Sequence, residues 1–250
     1  MKQKLGQNFL IDKRVAQREV DFAEINSNDV VLEIGPGNGI LTNIIAEKAK
    51  KVIAIEIDLN LIYELKYTVS ENVEVIHEDA LKIDFKSLPK FNKIVSNLPF
   101  QISSPITFKF LDYAFECAIL IYQKEFADRM VAEVGTKDYS RLTVGAYYKT
   151  KCELLETISK NCFKPKPKVD SAMIRLVPRK KPPFKINSEK FFYELTKNLF
   201  NHRRKKIRST LKQYYSITSK DIPYLDDRVE SLTPEQIGKM SNILSDLLGL

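Results

Sequence analysis

The 250-residue sequence predicts an α/β fold in which a mostly parallel sheet is covered by helices. In the first half, short apolar runs alternate with segments whose apolar residues recur at helical spacing. Later, two strand-like runs are separated only by a Pro-rich loop, and a basic segment of helical pattern follows. The order strand, helix, strand, helix favours parallel pairing with right-handed crossovers, so the first part predicts a sheet of Rossmann type.

The predicted strands of the first part are short apolar runs. Two segments between them, 41–49 and 59–65, have apolar residues at helical spacing. The two later strands have no crossover helix between them, so we expect them to form an antiparallel edge pair. The strands are predicted at 30–34, 52–57, 73–76, 94–96 and 118–122, and the later pair at 153–158 and 172–177.

A domain boundary is predicted at the segment 178–183, whose three prolines and three basic residues favour neither a strand nor a helix. Ser188 is a good helix N-cap beyond it, and Thr233, with Pro234 and Gln236, begins another helix. We therefore predict an α/β domain at residues 1–178 and a small helical domain at 179–250.

The net charge of +8 is concentrated in one part of the chain. Residues 178–212 contain twelve Lys or Arg and two Glu, a net charge of +10, so the remainder carries −2. A concentrated basic block favours a polyanionic partner, although the charge alone also fits a solubilising surface.

Other features restrict the protein class. There is no run of 18 apolar residues and no apolar segment behind the N-terminal lysines, so we expect no membrane span and no secretory signal. Cys117, Cys152 and Cys162 form no C-x-x-C pair, which favours reduced thiols in a cytoplasmic protein without a zinc site.

A glycine-rich loop follows the first predicted strand and precedes a helix, at residues 33–39. Gly35, Gly37 and Gly39 would allow a tight turn and a close approach of the backbone to a ligand. A dinucleotide fingerprint would need glycine where the chain has Ile40, and no G-K-[ST] of a P-loop is present. The glycine spacing resembles motif I of the S-adenosylmethionine-dependent methyltransferases.

Two carboxylates follow at the ends of the next strands. Glu56 lies 19 residues beyond Gly37 and could accept both hydroxyls of a ribose. Asp79 could accept from an adenine amine, and Ile57 and Ala80 could enclose the ring. The alternatives are a surface carboxylate at a strand end for Glu56 and an ordinary turn residue for Asp79.

The tetrapeptide Asn97-Leu98-Pro99-Phe100 ends the fourth strand and resembles the [NDS]-P-P-[YF] motif of amino-methyltransferases. An exocyclic amine becomes nucleophilic when two acceptors hold its N–H groups, here the Asn97 side-chain oxygen and the Leu98 carbonyl. Pro99 stiffens the loop, and Phe100 offers a face on which a flipped base can stack. The alternative is a simple turn with Phe100 in the core.

Two further segments are distinctive, 6–10 (G-Q-N-F-L) and 163–171 (F-K-P-K-P-K-V-D-S). With the glycine loop and the tetrapeptide, they closely resemble the KsgA family of small-subunit ribosomal RNA adenine dimethyltransferases, over nearly the whole chain. Its short N-terminus and compact loops resemble archaeal members. Phe100 departs from the Tyr of most members but keeps the stacking face.

This resemblance implies a class I methyltransferase domain at 1–178, an RNA-binding domain at 179–250 and S-adenosylmethionine as the cofactor. It further implies two adjacent dimethyladenosines as product, in a hairpin loop near the 3′ end of 16S rRNA within the 30S particle or its precursor. A monomer without metal is expected. The implied cofactor-binding residues are Asn8, Leu10, Gly35, Gly37, Glu56, Ile57, Asp79, Ala80 and Asn97, and Phe100 and Phe163 would pack the target adenine.

A basic cluster within residues 203–208 is expected to extend the helix begun at Ser188 and to contact RNA phosphates. Two alternatives remain open: a resistance-type methyltransferase of large-subunit rRNA, and a non-catalytic RNA-binding assembly or transcription factor. A zinc deaminase acting on adenine is excluded because its H-x-E and P-C-x-x-C motifs are missing. The cluster comprises Arg203, Arg204, Lys205, Lys206 and Arg208.

Overall fold

The computed structural model describes residues 7–218 and 221–250, so Gly6 of the first distinctive segment lies outside it. Contacts divide the chain into two compact units. The first contains the described residues up to Ala127 and Lys151–Pro178, and the second contains Asp128–Thr150 and Arg179–Leu250. This grouping differs from a simple division after residue 178, because residues 128–150 pack with the C-terminal helices. Within the second unit, for example, the Tyr139 hydroxyl donates to the Leu232 carbonyl at 2.8 Å.

The helices and strands follow the predicted alternation. In chain order they are β1 (Phe9–Leu10), α1 (Lys13–Phe22), β2 (Val30–Ile34), α2 (Ile40–Lys48), β3 (Lys51–Glu56), α3 (Leu59–Leu65), β4 (Val73–His77), β5 (Lys93–Asn97), α4 (Ser103–Leu111), β6 (Cys117–Gln123), α5 (Lys124–Met130), α6 (Arg141–Lys149), β7 (Thr150–Ile158), β8 (Phe163–Lys164), β9 (Ser171–Pro178), α7 (Glu189–Asn201), α8 (Ile207–Tyr215) and α9 (Pro234–Leu248).

Seven strands of the described chain form one sheet, in the order β4-β3-β2-β5-β6-β9-β7. The strands β4, β3, β2, β5 and β6 pair in parallel, and β9 pairs antiparallel with β6. This confirms the predicted Rossmann-like sheet, mostly parallel with antiparallel pairing toward one edge. The order reverses at β2, since β3 lies on one side and β5 on the other. In such sheets, ligands bind beyond the carboxyl ends of the strands at this switch point.

The core of the first unit lies between the sheet and its helices. Strands β3 and β5 are buried along almost their whole length, as expected for parallel strands covered on both faces. Helix α1 turns one apolar face toward the sheet through Val15, Ala16 and Val20. This rigid layer fixes the strand ends that carry the candidate site.

The second unit is a helical assembly around a core of its own, centred on Phe192, Leu195 and Met240. The predicted caps are confirmed: the Ser188 side chain accepts from the Phe191 N–H at 3.3 Å, and Thr233 forms a capping box with Gln236.

The predicted extension of the helix begun at Ser188 is wrong. Helix α7 ends at Asn201, and α8 begins at Ile207, so most of the basic cluster lies in the turn between them. The backbone there pairs with a neighbouring segment instead, because the N–H groups of Ile207 and Arg208 donate to the carbonyls of Asp227 and Leu225, both at 3.0 Å.

None of the described helices is long and apolar enough to cross a membrane. Within residues 7–218 and 221–250, no group of three or more His, Cys, Asp or Glu is placed to hold a metal ion.

Candidate active site

A cavity in the first unit lies at the switch point of the sheet. The last backbone pair between β2 and β5 joins Leu32 to Ile94, and the two strands separate beyond it. Ser96 bridges the opening, since its hydroxyl donates to the Ile34 carbonyl at 2.7 Å. The cavity is lined by β1, the glycine loop, the end of β3, the loop after β4 and the tetrapeptide.

The glycine loop is shaped by positions at which a side chain does not fit. Gly35 and Gly37 have φ values of +70° and +56°, which L-residues rarely adopt. A Cβ on Gly37 would lie 2.8 Å from Cδ1 of Phe9, and one on Gly35 would lie 3.1 Å from Cγ of Pro99. The two glycines therefore let the loop lie directly against β1 on one side and the tetrapeptide on the other.

Glu56 lies at the end of β3 and is only 5% exposed. Its Oε1 accepts from the N–H groups of Ile57 at 2.8 Å and Asp58 at 2.9 Å. Burial raises the pKa of the carboxyl, and the backbone N–H groups of Asp58, Ile57 and Gly37 oppose that rise. The carboxylate is thus held in one orientation at the cavity wall, as a ribose-binding acid requires.

Asp79, Ala80 and Ile57 come together at the far end of the same cavity. Asp79 accepts from the Leu81 N–H through Oδ1 at 2.9 Å, and Ala80 is buried whereas Ile57 is about half exposed. The structure therefore brings together the acid that was predicted to accept from an adenine amine and the two residues that were predicted to enclose its ring.

Lys109 anchors this loop and was missed by sequence reasoning. From α4, its Nζ donates to the Ala80 carbonyl at 2.8 Å and to the Ile83 carbonyl, and it lies 4.4 Å from the centre of the Phe85 ring. Burial lowers the pKa of Lys109, while the charges of Asp84 and Asp79 oppose the change. A lysine on a helix gives no local sign that it fixes a loop elsewhere in the chain.

Asn97 occupies the end of β5, at the edge of the cavity. Its Nδ2 donates to the Asn8 carbonyl at 3.4 Å, whereas its Oδ1 is buried and has no hydrogen-bond partner among the described residues. A buried acceptor without a partner is costly unless a ligand satisfies it. Leu98 is buried, and Pro99 and Phe100 line the cavity beside Asn97.

Phe163 occupies a different position from the one expected of a base-stacking residue. It is 2% exposed, belongs to the core of the first unit and is not among the described residues that line the cavity. Its ring meets that of Phe100 edge to face, with the centroids 6.4 Å apart. In this structure Phe163 therefore packs against Phe100 from the core of the first unit.

Strand β8, which holds Phe163, also positions the N-terminal segment. Leu10 pairs with Phe163 in a short antiparallel ladder, and the Asn8 side chain donates to the Pro165 carbonyl at 2.7 Å. This hydrogen bond joins residues that are 157 positions apart in the chain. The two distinctive sequence segments thus form one wall of the site. Asn8 and Leu10 both line the cavity, as expected.

Other lining residues were not predicted. Phe9 and Glu33 lie inside motifs already singled out, and Glu33 is a charged residue within an apolar strand, which is a recognisable signal. The short 3₁₀ turn after the tetrapeptide carried no signal of its own. The additional lining residues are Gln7, Phe9, Glu33, Ile34, Pro36, Asn38, Ile40, Leu41, Ile55, Glu78, Leu81, Gln101 and Ile102.

The basic cluster of the second unit divides into bound and exposed side chains. Arg203 is held within the unit, because its Nε pairs with Glu230 at 2.6 Å and its terminal nitrogens donate to the carbonyls of Lys137 and Thr136. Lys206 and Arg208 both pair with Asp226. Arg204 and Lys205 are exposed and form no ion pair within the described chain.

A sequence model of the ribosomal RNA adenine dimethylases matches residues 1–246. The chain belongs to the ribosomal RNA adenine dimethylase family. This confirms the family resemblance drawn from the four motifs, and members of this family are methyltransferases.

The curated relatives of this adenine dimethylase include archaeal proteins. The chain is 46% identical to the probable ribosomal RNA small subunit methyltransferase A of Methanosarcina acetivorans, over 96% of this chain and 93% of the relative. It is also 46% identical to the protein of the same name from Thermococcus onnurineus, over 96% of this chain and 91% of the relative.

Two solved structures resemble the adenine dimethylase over nearly its whole length. The dimethyladenosine transferase from Plasmodium falciparum has a TM-score of 0.81 and 29% identity, and it covers 97% of this chain and 98% of its own. The 23S rRNA methyltransferase ErmE has a TM-score of 0.68 and 29% identity, with coverage of 94% and 98%.

Proposed function

We propose that this adenine dimethylase transfers methyl groups from S-adenosylmethionine to N6 of adenosines in small-subunit ribosomal RNA. The observation that carries the proposal is the Oδ1 of Asn97, a buried acceptor without a partner among the described residues, at the edge of the cavity. An exocyclic amine with two N–H groups is the donor that fits this acceptor.

The chemistry follows from the geometry of the tetrapeptide. The lone pair of the N6 amine is delocalised into the purine ring and is a poor nucleophile. Acceptance of one N–H by Asn97 and of the other by the Leu98 carbonyl draws the nitrogen toward tetrahedral geometry. The Asn97 side chain is oriented by its own donation to the Asn8 carbonyl. Positioning does most of the work, and no strong general base is needed.

The residues predicted to bind S-adenosylmethionine line this cavity, which supports it as the cofactor. When bound, this cofactor supplies an electrophilic methyl group on a sulfonium. Glu56 would accept the ribose hydroxyls, and Asp79 would accept the adenine amine between Ile57 and Ala80. Gly35 and Gly37 would admit the methionine end, with Asn8 and Leu10 closing the wall from β1. Phe100 would stack on the target base, supported by Phe163.

RNA would be held by exposed basic residues of the second unit. Arg204 and Lys205 are the side chains of the cluster best placed to bind phosphates, since Arg203, Lys206 and Arg208 already have acidic partners. Lys206 and Arg208 share a single exposed carboxylate and could exchange it for a phosphate at little cost. The division into a methyltransferase domain and an RNA-binding domain stays part of this proposal.

The proposed target is two adjacent adenosines in the hairpin loop near the 3′ end of 16S rRNA, in the 30S particle or its precursor. The names of the archaeal relatives support the small subunit. A second candidate is methylation of one large-subunit adenine, favoured by the likeness to ErmE at 29% identity. The higher TM-score with the dimethyladenosine transferase supports the first.

The test is methyl transfer from labelled S-adenosylmethionine to small subunits that lack the modification, with large subunits and free rRNA alongside. Dimethyladenosine at adjacent positions of small-subunit rRNA is the expected product. Label confined to the large subunit would support the second candidate. Cofactor binding with no transfer to any RNA would instead support a binding-only assembly factor.

Two variants make the test specific. Asn97→Ala should lose methyl transfer by at least a hundredfold because the amine acceptor is removed, and it should keep its affinity for small subunits because Asn97 lies outside the basic cluster. Asn60→Ala, on the exposed face of α3, should keep full activity. Loss of activity in both variants, or in neither, would contradict the role of Asn97.

A further inference from the structure

Glu33 is a buried acid that the proposed chemistry does not use. It lies in β2, within an otherwise apolar strand, and is 1% exposed. Its Oε2 has no hydrogen-bond partner among the described residues, and the side chain forms part of the cavity wall. A carboxyl oxygen buried in this way, without a partner, is a strong candidate for a ligand contact.

Glu19 lies behind Glu33, on the inner face of α1. It is 0% exposed, and neither of its carboxyl oxygens has a hydrogen-bond partner in the described chain. The two acids are close enough that the charge of Glu33 acts on Glu19. The structure thus contains a buried pair of carboxyl groups directly beneath the glycine loop.

The charged groups that act on this pair are themselves acidic. Glu56 from β3 acts on Glu33, and Glu156 from β7 acts on Glu19. The groups that lower the two pKa values are uncharged. They are the Thr42 hydroxyl of α2 for Glu33 and the Ser96 backbone of β5 for Glu19.

The pair should therefore be neutral in the protein alone. Burial, reinforced by the charge of Glu56, raises the pKa of Glu33 to about 8, and burial raises the pKa of Glu19 well above its usual value. At pH 7 the carboxyl of Glu33 is then about nine-tenths protonated. A nearby positive charge would reverse this balance and draw the proton off.

The order of strands places Glu33 where such a charge would arrive. Strand β2 lies between β3, which ends in the ribose-binding Glu56, and β5, which ends in the acceptor Asn97. In S-adenosylmethionine the sulfonium joins the ribose to the methyl group that is transferred. A cofactor that spans Glu56 and Asn97 must therefore place its sulfonium over the end of β2.

We propose that Glu33 supplies the negative charge that favours the sulfonium methyl donor over its uncharged thioether product. This inference rests on the proposed function, since it assumes S-adenosylmethionine in the cavity. Binding of the donor releases a proton from Glu33 to solvent, and loss of the methyl group returns the pair to its neutral form. S-adenosylhomocysteine, which has no sulfonium charge, then gains nothing from the carboxylate and leaves more readily.

Isothermal titration calorimetry of the whole chain without RNA tests the proposal directly. S-adenosylmethionine and S-adenosylhomocysteine are titrated at pH 7 in phosphate and in Tris, whose ionisation enthalpies differ, so that the protons released are counted. We expect most of a proton to be released when the sulfonium binds and much less when the thioether binds. The affinity for the sulfonium should also rise from pH 6.5 to pH 8 and then level off, whereas that for the thioether should stay flat.

Three variants test which acid causes the difference in proton release and in affinity between the two ligands. Glu33→Gln should abolish the difference in proton release and reduce the preference for sulfonium over thioether by about tenfold, with the thioether affinity unchanged. Glu19→Gln should keep both the preference and the difference in proton release, because Glu19 is itself neutral and the charge that responds to the sulfonium is on Glu33. Glu47→Gln, an exposed acid on α2, is the matched control and should behave like the native chain.

The outcomes separate this inference from the function on which it rests. Equal proton release for the two ligands in the native chain would overturn it, whether or not the variants fold. An unchanged affinity ratio in Glu33→Gln would overturn it as well. If neither ligand binds the native chain, the proposed cofactor itself is wrong.

Discussion

The burial of Glu33 predicts that its replacement by glutamine changes how stability depends on pH. The pKa of Glu33 rises from 4.5 to about 8 on folding. Above pH 4.5 the unfolded chain ionises this group while the folded chain keeps it protonated, so the free energy of unfolding falls as pH rises, until the folded group ionises near pH 8. At about 1.4 kcal/mol per pKa unit, native stability loses about 3.5 kcal/mol between pH 5 and pH 8 from this group alone.

Glu33→Gln cannot ionise, so its stability should fall less over the same range. Urea unfolding followed by circular dichroism at pH 5 and pH 8 measures both free energies, with Glu47→Gln as an exposed control. Between pH 5 and pH 8 the stability of the variant relative to the native chain should therefore rise by about 3.5 kcal/mol. Loss of the Glu33 charge also lowers the folded-state pKa of Glu19, which adds to this difference. Parallel pH curves for variant and native chain would refute the assignment of Glu33 as a buried, neutral acid.

Two further predictions concern the cavity wall. Lys109→Met leaves two loop carbonyls without their donor, which costs about 1–3 kcal/mol, and should weaken S-adenosylhomocysteine binding about tenfold. Lys93→Met removes a similar lysine anchor at the opposite ends of the strands, to the Ala23 and Glu24 carbonyls, and should lower stability without changing that affinity. Calorimetric affinities compare the two, and an equal loss in both would contradict the positioning role of Lys109. Gly37→Ala should weaken the binding of S-adenosylhomocysteine at least tenfold, because the new Cβ would contact Phe9. Gly135→Ala is the control, since Gly135 also has a positive φ, +83°, but no atom lies within 4 Å of the new Cβ, so the affinity should not change.

The order of elements and the chemistry of the motifs were predictable from the sequence. Apolar runs followed by helical spacing identified the parallel strands, and the strand before and helix after the glycines located the cavity. The residues predicted to bind the cofactor all line one cavity, since each lies at the carboxyl end of a strand or beside it. Their roles toward a ligand stay predictions.

The side-chain environments were not predictable, because they depend on contacts between distant segments. Phe163 reads as an aromatic in a loop motif, but its pairing with β1 buries it. Arg203 is indistinguishable in sequence from Arg204, yet a carboxylate and two carbonyls from other segments hold it. The basic segment was predicted as helix because nothing local signals its pairing with residues 225–228.

The fold class, the family and the predicted cofactor-binding residues at the switch point followed from local patterns. Periodicity and turn chemistry are local, and a motif needs only its own strand and loop. The packing of distant segments, by contrast, sets which carboxyl groups are buried without a partner, which lysine fixes the loop after β4 and which basic residues remain exposed. Burial and desolvation arise when segments far apart in the chain exclude water from one another, and no local pattern contains that information.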